Sequence, residues 1–502
     1  MRLDSVRMRV LGWVLGPLLM AACGGNSGIG LSAEEETLGT VQAALCDDSS
    51  VTHLTLSGIS TYQGDTAGSG SWQVTYPANA VRLEYYIDGV LQSSEERPGT
   101  TGTWYFSKGG VACGWRTFQV KTYPMVIDSG GNRTTCWSNP SQSITQPVIE
   151  PCPTTEAGYK HTVALKRDGT VWAWGENIHG QLGDGTTTQR LTPAQVTGIG
   201  EVVGIAAGFN HTVAVKRDGT VWSWGENAYG QHGDGTTANR LTPVQVAGLS
   251  NVKAVAAGFG YTVALKHDGT VWSLGYNESG QLGDGSLSHS SVPVQAEGLG
   301  NIRAIDVRIA HTLALRQDGT VWAWGENGDG QLGDGTTLHR STPVQAASIN
   351  NVVSMAAGAW FTVVLKQDGT VWAWGRNWQG QLGDGTTSTR LRPVQAVGLS
   401  NVIAVSAGSP HTVALKQDGT VWTWGQNTYG QLGDGTQTDR WSPVQVAGLN
   451  GVTAIDAGAW HTLAVKQDGT ARAWGSNFYT QLGDGTQTDR LTPVQVVGLS
   501  LL

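Results

Sequence analysis

Histidine recurs in this chain at positions that invite a metal. His161, His211, His311, His411 and His461 each precede a threonine at a fifty-residue spacing, and Tyr261 and Phe361 fill the two remaining places. A zinc site needs three or four nitrogen or sulfur donors in one tetrahedral shell. Phe361 cannot ligate, and residues one per repeat are too far apart to share an ion unless all face one axis. The five histidines therefore read as a packed ring, each making one hydrogen bond. Aspartate recurs as well. Asp184-Gly185 and its equivalents lack the D-x-D-x-D-G spacing of a calcium loop and read as turn chemistry. Asp168-Gly169-Thr170-Val171-Trp172 departs from the D-x-G-x-T-W spacing of a sialidase Asp-box, and no copy supplies the unique pair of acids that glycoside hydrolysis needs. A G-x-S-x-G elbow, an HExxH pair and a Gly-Lys-Ser/Thr phosphate loop are missing from the sequence. The expectation is a protein with no catalytic residue, no metal and no cofactor.

What positions these residues is a repeat. The stretch His411 to Gly435, HTVALKQDGTVWTWGQNTYGQLGDG, recurs in seven copies at a fifty-residue period from His161 onward. A unit of this length cannot bury its apolar face alone, so stacking decides the architecture. Within the first copy, His161 to Lys166 alternates as a strand does, and Asp168-Gly169 supplies a tight turn. Thr170 to Gly175 returns as a second strand, and a Gly-rich loop runs from Asn177 to Thr186. Pro193 to Val196 and Val202 to Ala206 read as two shorter strands. Four antiparallel strands per fifty residues predict a propeller blade, and seven copies predict seven blades over 153–502. An open solenoid would need polar caps, which are not visible. The sequence stops at Leu502, where the last copy should begin its fourth strand, and Thr154 to Gly158 stand where such a strand should end before the first copy. Ring closure by this N-terminal segment is expected.

The 502 residues leave room for two or three domains. Charged residues are only 14%, with a formal net charge of −8 and no run of Lys or Arg, which argues against nucleic acid as a partner. The 71 Gly and 21 Trp suit many short strands joined by turns, and an all-β fold is expected.

The first residues read as an address. Arg2, Arg7 and Arg9 precede a short apolar core, Val10 to Met20, which is too short to span a bilayer and fits a secretory signal. Its end, Leu19-Met20-Ala21-Ala22-Cys23, resembles a bacterial lipobox, with Met20 where Leu is usual; the resemblance implies lipidation of Cys23 and an exported, membrane-anchored lipoprotein of the outer membrane or cell surface. Residues 24–45 read as a flexible tether. Residues 46–152 hold the other four cysteines, and an even number in an exported chain predicts two disulfides with three connectivities open; Cys113–Cys136 with Cys46–Cys152 is the expected pairing. Strand signals at Trp72–Tyr76, Val81–Ile87, Trp104–Phe106 and Arg116–Thr122 suggest a small sandwich. The run from VRLEYYIDGV through FQVKTY to DSGGNRTT resembles a bacterial immunoglobulin-like domain, and its expected role is a stalk.

The pattern HTxALxxDGTVWxWGxNxxGQLGDGT, followed by TPVQV, resembles the regulator of chromosome condensation repeat family over residues 153–502. The resemblance implies a seven-bladed β-propeller but no single function, because family members include a GTPase exchange factor, parts of ubiquitin ligases and secreted bacterial inhibitors.

Function is then sought where the copies differ, since positions that set the fold must agree. The pair before the histidine and the pair in the Gly-rich loop vary and are rich in aromatic residues. Phe209, Phe259, Trp360 and Trp460 come from the first pair, and Tyr229, Trp378, Tyr429, Phe478 and Tyr479 from the second. A cluster of such rings marks an interaction surface. Arg308, in place of a repeated Gly, is the expected functional exception beside a loop. Arg472, Leu274 and Thr480 also break the pattern. The reading is a non-catalytic, monomeric cell-envelope protein that binds a protein partner, or alternatively a glycan, through its loop face. The other alternative is guanine-nucleotide exchange on a small GTPase. Export argues against it, and so does an array without the insertion that would serve as a wedge.

Overall fold

A computed structural model of the chain describes residues 49–62, 65–108, 114–137, 141–150 and 152–502. The signal segment with Cys23, the tether, Cys46 and Cys113 lie outside the described residues, so the expectations for them are not addressed by the fold. Every regular element among the described residues is a strand.

The N-terminal part is a two-sheet sandwich. Val51–Leu54, Gly58–Tyr62 and Thr101–Lys108 pair with the long strand Asp65–Val74. Ala80–Ile87 lies between Val90–Pro98 and Gly114–Ile127, and the last of these also pairs with Arg133–Thr135 and Gln142–Glu150. Alternation puts Val81, Leu83 and Tyr85 inward from one sheet and Trp72, Trp104 and Phe106 from the other, in one core. Each strand signal in this part of the sequence falls within an observed strand except at Thr75 and Tyr76, which lie beyond Val74, Tyr76 being exposed.

From Thr154 to Ser500 there are seven four-stranded antiparallel sheets, each built from four consecutive strands. Their first strands are Thr154–Ala157, Val202–Ala207, Val252–Ala257, Ile302–Val307, Val352–Ala357, Val402–Ala407 and Val452–Ala457. These pack against their counterparts in neighbouring sheets and line a central channel of about 190 Å³. Closure differs from the expectation. Thr154–Ala157 does not complete the last sheet; it is the first strand of the first sheet, pairing with His161–Leu165, and Val452–Ala457 opens the last. The sequence repeat is thus offset by one strand from the sheet, and no sheet mixes the two ends of the chain. The strand signal at Pro193 begins earlier, at Arg190.

Neighbouring sheets are joined by a polar belt that explains the repeated His-Thr, Trp and Gln. Thr212 Oγ1 donates to the Gln181 carbonyl at 2.8 Å, and Trp224 Nε1 donates to the same oxygen at 3.0 Å. Having spent its proton, Thr212 Oγ1 accepts from His161 Nε2 at 3.0 Å. The His–Thr–Gln link recurs with His211–Thr262, where Leu274 takes the place of the tryptophan, and with His311–Thr362, His411–Thr462 and, across the closure, His461–Thr162. Each histidine is therefore the Nε2–H tautomer with one hydrogen bond and an unpaired Nδ1. Full burial pushes all five down to about 3, so they are neutral. Tyr261 keeps a link by donating its hydroxyl to the His311 carbonyl at 2.9 Å.

The loop aspartates are equally committed. Asp184 accepts from Thr186 N, Thr186 Oγ1 and Asn177 Nδ2 through one oxygen and from Arg190 through the other. Burial raises its carboxyl, but these bonds outweigh it and hold the group below its ordinary value. Thr480 has φ of +61°, where its counterparts are glycine, and its hydroxyl donates to the Arg190 carbonyl at 2.7 Å, joining the last sheet to the first.

Candidate docking site at the channel mouth

The residue three before each ring histidine is glycine in six copies because of the ring itself. A Cβ at Gly158 would lie 2.7 Å from His161 Cε1, and one at Gly358 would lie 2.1 Å from Phe361 Cε1. The chain must pass close over this ring as it leaves the first strand, and the next two residues are thereby presented at one mouth of the channel.

There the varying positions meet. Tyr159, Phe209, Phe259, Ile309, Trp360, Pro410 and Trp460 line a bowl of about 520 Å³. One wall is a continuous aromatic arc. Trp460 and Tyr159 lie 4.8 Å apart, Tyr159 and Phe209 stack at 3.7 Å, and Phe209 meets Phe259 edge-on at 5.0 Å. Tyr276 extends the arc at 5.7 Å from Phe259, with Tyr229 packed 4.8 Å behind it. The facing wall is more polar and carries Glu326, Arg376, Gln379 and Gln426. Arg376 is held between Trp360 at 4.1 Å and Trp378 at 4.2 Å while pairing with Asp329 at 2.7 Å. A second hollow, of about 900 Å³, opens beside Trp460 and holds Tyr429, Phe478 and Tyr479. Phe478 is 70% exposed and Trp378 60%. Nine aromatic residues chosen from the sequence thus fall into two adjoining hollows and their rim.

Arg308 does not. It follows the first strand Ile302–Val307, and its guanidinium lies in the channel wall below the bowl, where Nη1 donates to the Ala157 carbonyl at 3.3 Å. It is not beside an exposed loop, because residues at this place turn toward the axis. Around it are three carboxylates. Asp306 Oδ2 accepts from Ala357 N at 2.7 Å, and Asp456 Oδ2 accepts from Ala157 N at 2.5 Å. Ser406 accepts from Ala457 N and donates to Asp456. These side chains staple adjacent first strands, and Asp456 does so across the closure. Burial pushes Asp306 up to about 6 and Glu156 well above its ordinary value, the latter helped by Asp456 and Asp306. Among the described residues, no group of three or more His, Cys, Asp or Glu is arranged to hold a metal ion.

A family model described as the RCC1-like domain matches residues 106–350 and 311–501, well over half of the sequence. The chain belongs to the RCC1-like domain family. Solved structures agree on the fold. The chain is 24% identical to human WBSCR16 over 66% of its own length and 94% of that protein, with a TM-score of 0.60. It is 23% identical to Prp20p of Saccharomyces cerevisiae over 66% and 87%, with a TM-score of 0.61. The Prp20p structure is described with its binding to Gsp1p and histones, and a second one shows yeast RCC1 (Prp20) bound to Kap60.

In this RCC1-like chain, sequence reasoning missed both the channel acids and the polar wall. The signal for the acids was present. Glu156, Ala206, Ala256, Asp306, Ala356, Ser406 and Asp456 are equivalent, and acids in an otherwise small apolar strand are a departure. Glu326, Arg376, Gln426 and Tyr276 likewise occupy one varying position, directly after the third strand of each sheet.

Proposed function

We propose that this RCC1-like chain is a non-catalytic binding protein that docks a protein partner in the aromatic bowl. The observation that carries the reading is convergence. Positions that differ from copy to copy meet at one mouth, while the positions that agree are spent on the belt. Large rings around a concave site are the usual anchors of a protein interface. Protein partners of Prp20p are consistent with binding through such a fold.

The wider reading has seven blades behind an immunoglobulin-like stalk, with lipidation at Cys23 anchoring a monomer in the envelope. Its disulfides would be Cys113–Cys136 and Cys46–Cys152. The full-length chain, solubilised in detergent, is the bait for envelope and cytosolic extracts, with Trp360→Ala/Trp460→Ala alongside. One envelope protein retained by the parent and lost by an equally well-folded double variant supports the reading. Equal retention by both shows the docking face to be wrong. Capture of a cytosolic GTPase with faster nucleotide release would favour exchange instead.

A further inference from the structure

The charges around the bowl are unevenly matched. Arg376 has Asp329, and Lys160 has Glu176 at 3.4 Å while lying 4.3 Å from the Tyr479 ring. Below, Arg308 faces Glu156, Asp306 and Asp456. Glu326 stands on the bowl wall opposite the aromatic arc, and no hydrogen bond or ion pair occupies its carboxylate among the described residues. Its titratable neighbours are His339, Asp329, Arg376 and the hydroxyls of Tyr276 and Tyr261; His339 uses Nδ1 to accept from Asn327 N at 2.9 Å, Arg376 is committed to Asp329 and two tryptophans, and the two tyrosines carry no charge at neutral pH. The mouth therefore combines ring faces with one carboxylate without a counter-ion, in a chain of net charge −8. Ring faces and a desolvated carboxylate both attract a cation on an apolar stem.

We propose that the bowl receives a lysine or arginine side chain from a basic segment of the protein partner, its stem along Phe209, Phe259 and Tyr159 and its charged head toward Glu326. This rests on the docking reading above and specifies the partner's chemistry. A carboxylate-bearing partner is disfavoured because both cations at the mouth already hold acids.

The test uses short acetylated and amidated Gly/Ser peptides with a central lysine, arginine, norleucine or glutamate, titrated against the full-length chain and followed by NMR and tryptophan fluorescence. Lysine and arginine peptides should bind about tenfold more tightly than norleucine, which has the stem without the charge. Glu326→Gln should remove most of that advantage and leave norleucine binding unchanged. Phe209→Leu should weaken lysine more than norleucine. Burial raises the Glu326 carboxyl, so lysine binding should strengthen as pH rises through its titration and be flat in Glu326→Gln. Norleucine binding as well as lysine, an indifferent Glu326→Gln, preference for glutamate, or no binding by any peptide would each overturn the proposal. Partner capture that is lost in Trp360→Ala/Trp460→Ala but kept in Glu326→Gln removes the basic segment and leaves docking standing. Capture kept in both removes the docking face itself.

Discussion

The belt between sheets and the mouth above it are built from neighbouring residues under opposite rules. In the belt, Thr412 serves Gln381 as Thr212 serves Gln181, and Trp424 donates to Gln381 as Trp224 does to Gln181. Two residues before the ring histidine, Tyr159, Phe209 and Phe259 give way to Ile309, Ala359, Ser409 and Ala459. The belt is fully buried and its donors and acceptors must match, so one solution is repeated. The mouth is partly wet and closes no bond that the fold requires, so each copy is free to differ. Changes in the belt should cost stability, and changes in the mouth should cost binding.

The largest expected effect comes from acid. A ring histidine titrates near 6.5 when unfolded and near 3 when folded, so the unfolded chain binds more protons between those values. Stability from this source is complete above pH 6.5 and falls as pH falls toward 3. At pH 5 each histidine should cost at most about 2 kcal/mol. Asp306, raised to about 6, works the other way and adds stability as pH falls through 6 toward 3.8, and Glu156, Asp456 and Glu326, also raised by burial, act in the same sense and offset part of the histidine effect. Urea unfolding at pH 7.5 and pH 5 measures the sum. His411→Phe, which copies Phe361, should flatten the slope; a slope that stays the same would mean that the histidines are not buried neutral.

Next in size is Thr462→Val. The hydroxyl accepts from His411 Nε2 and donates to the Gln431 carbonyl, so its removal leaves a buried N–H without an acceptor. The expected cost is about 2 kcal/mol by denaturant unfolding. By contrast, Trp460→Ala at the mouth should cost about 1 kcal/mol or less, since its ring is half-buried and meets Tyr159 and Tyr429 by edges alone. Equal costs at the two sites would erase the distinction between belt and mouth.

This contrast also decides what could be read in the sequence. Repetition displays whatever recurs, so strands, turns and the structural ring of histidines were legible before any coordinates. The aromatic residues of the mouth were legible for the complementary reason, as rings at places that otherwise change. The offset between repeat and sheet was not, because a period has no intrinsic starting point; only the pairing of Thr154–Ala157 with His161–Leu165 fixes it. Arg308 showed itself as an exception, but its direction did not. Whether a residue after a strand turns outward to a loop or inward to the axis depends on which strand is innermost, and that is a property of the closed ring. The acids at 156, 306 and 456 stood out as departures from a small apolar strand, but what Asp306 and Asp456 do was not legible: they staple neighbouring first strands, and such contacts join residues about fifty or about three hundred positions apart.

The smallest effect tests whether a break in the pattern is a defect or a use. In six sheets a tryptophan of the third strand lies under the Lys or Arg at the end of the second, at 4.4 Å for Lys266 over Trp272 and 4.5 Å for Arg316 over Trp322. Its Nε1 also donates to the threonine two residues earlier, as Trp272 does to Thr270 at 3.1 Å. In the last sheet Arg472 stands there instead. It reaches only Gln495 at 3.4 Å, while Lys466 turns to Asp468 at 3.8 Å. Arg472→Trp should restore both contacts and stabilise the chain by about 1 kcal/mol, read as a rise in Tm. Arg472→Leu supplies apolar area without the ring face, so a smaller rise for leucine assigns the gain to the cation and the ring, and an equal rise assigns it to packing. If instead tryptophan lowers Tm while partner capture is unchanged, the arginine belongs to the scaffold, and the rule that differing positions are free to serve binding fails on this third strand even where it holds at the mouth.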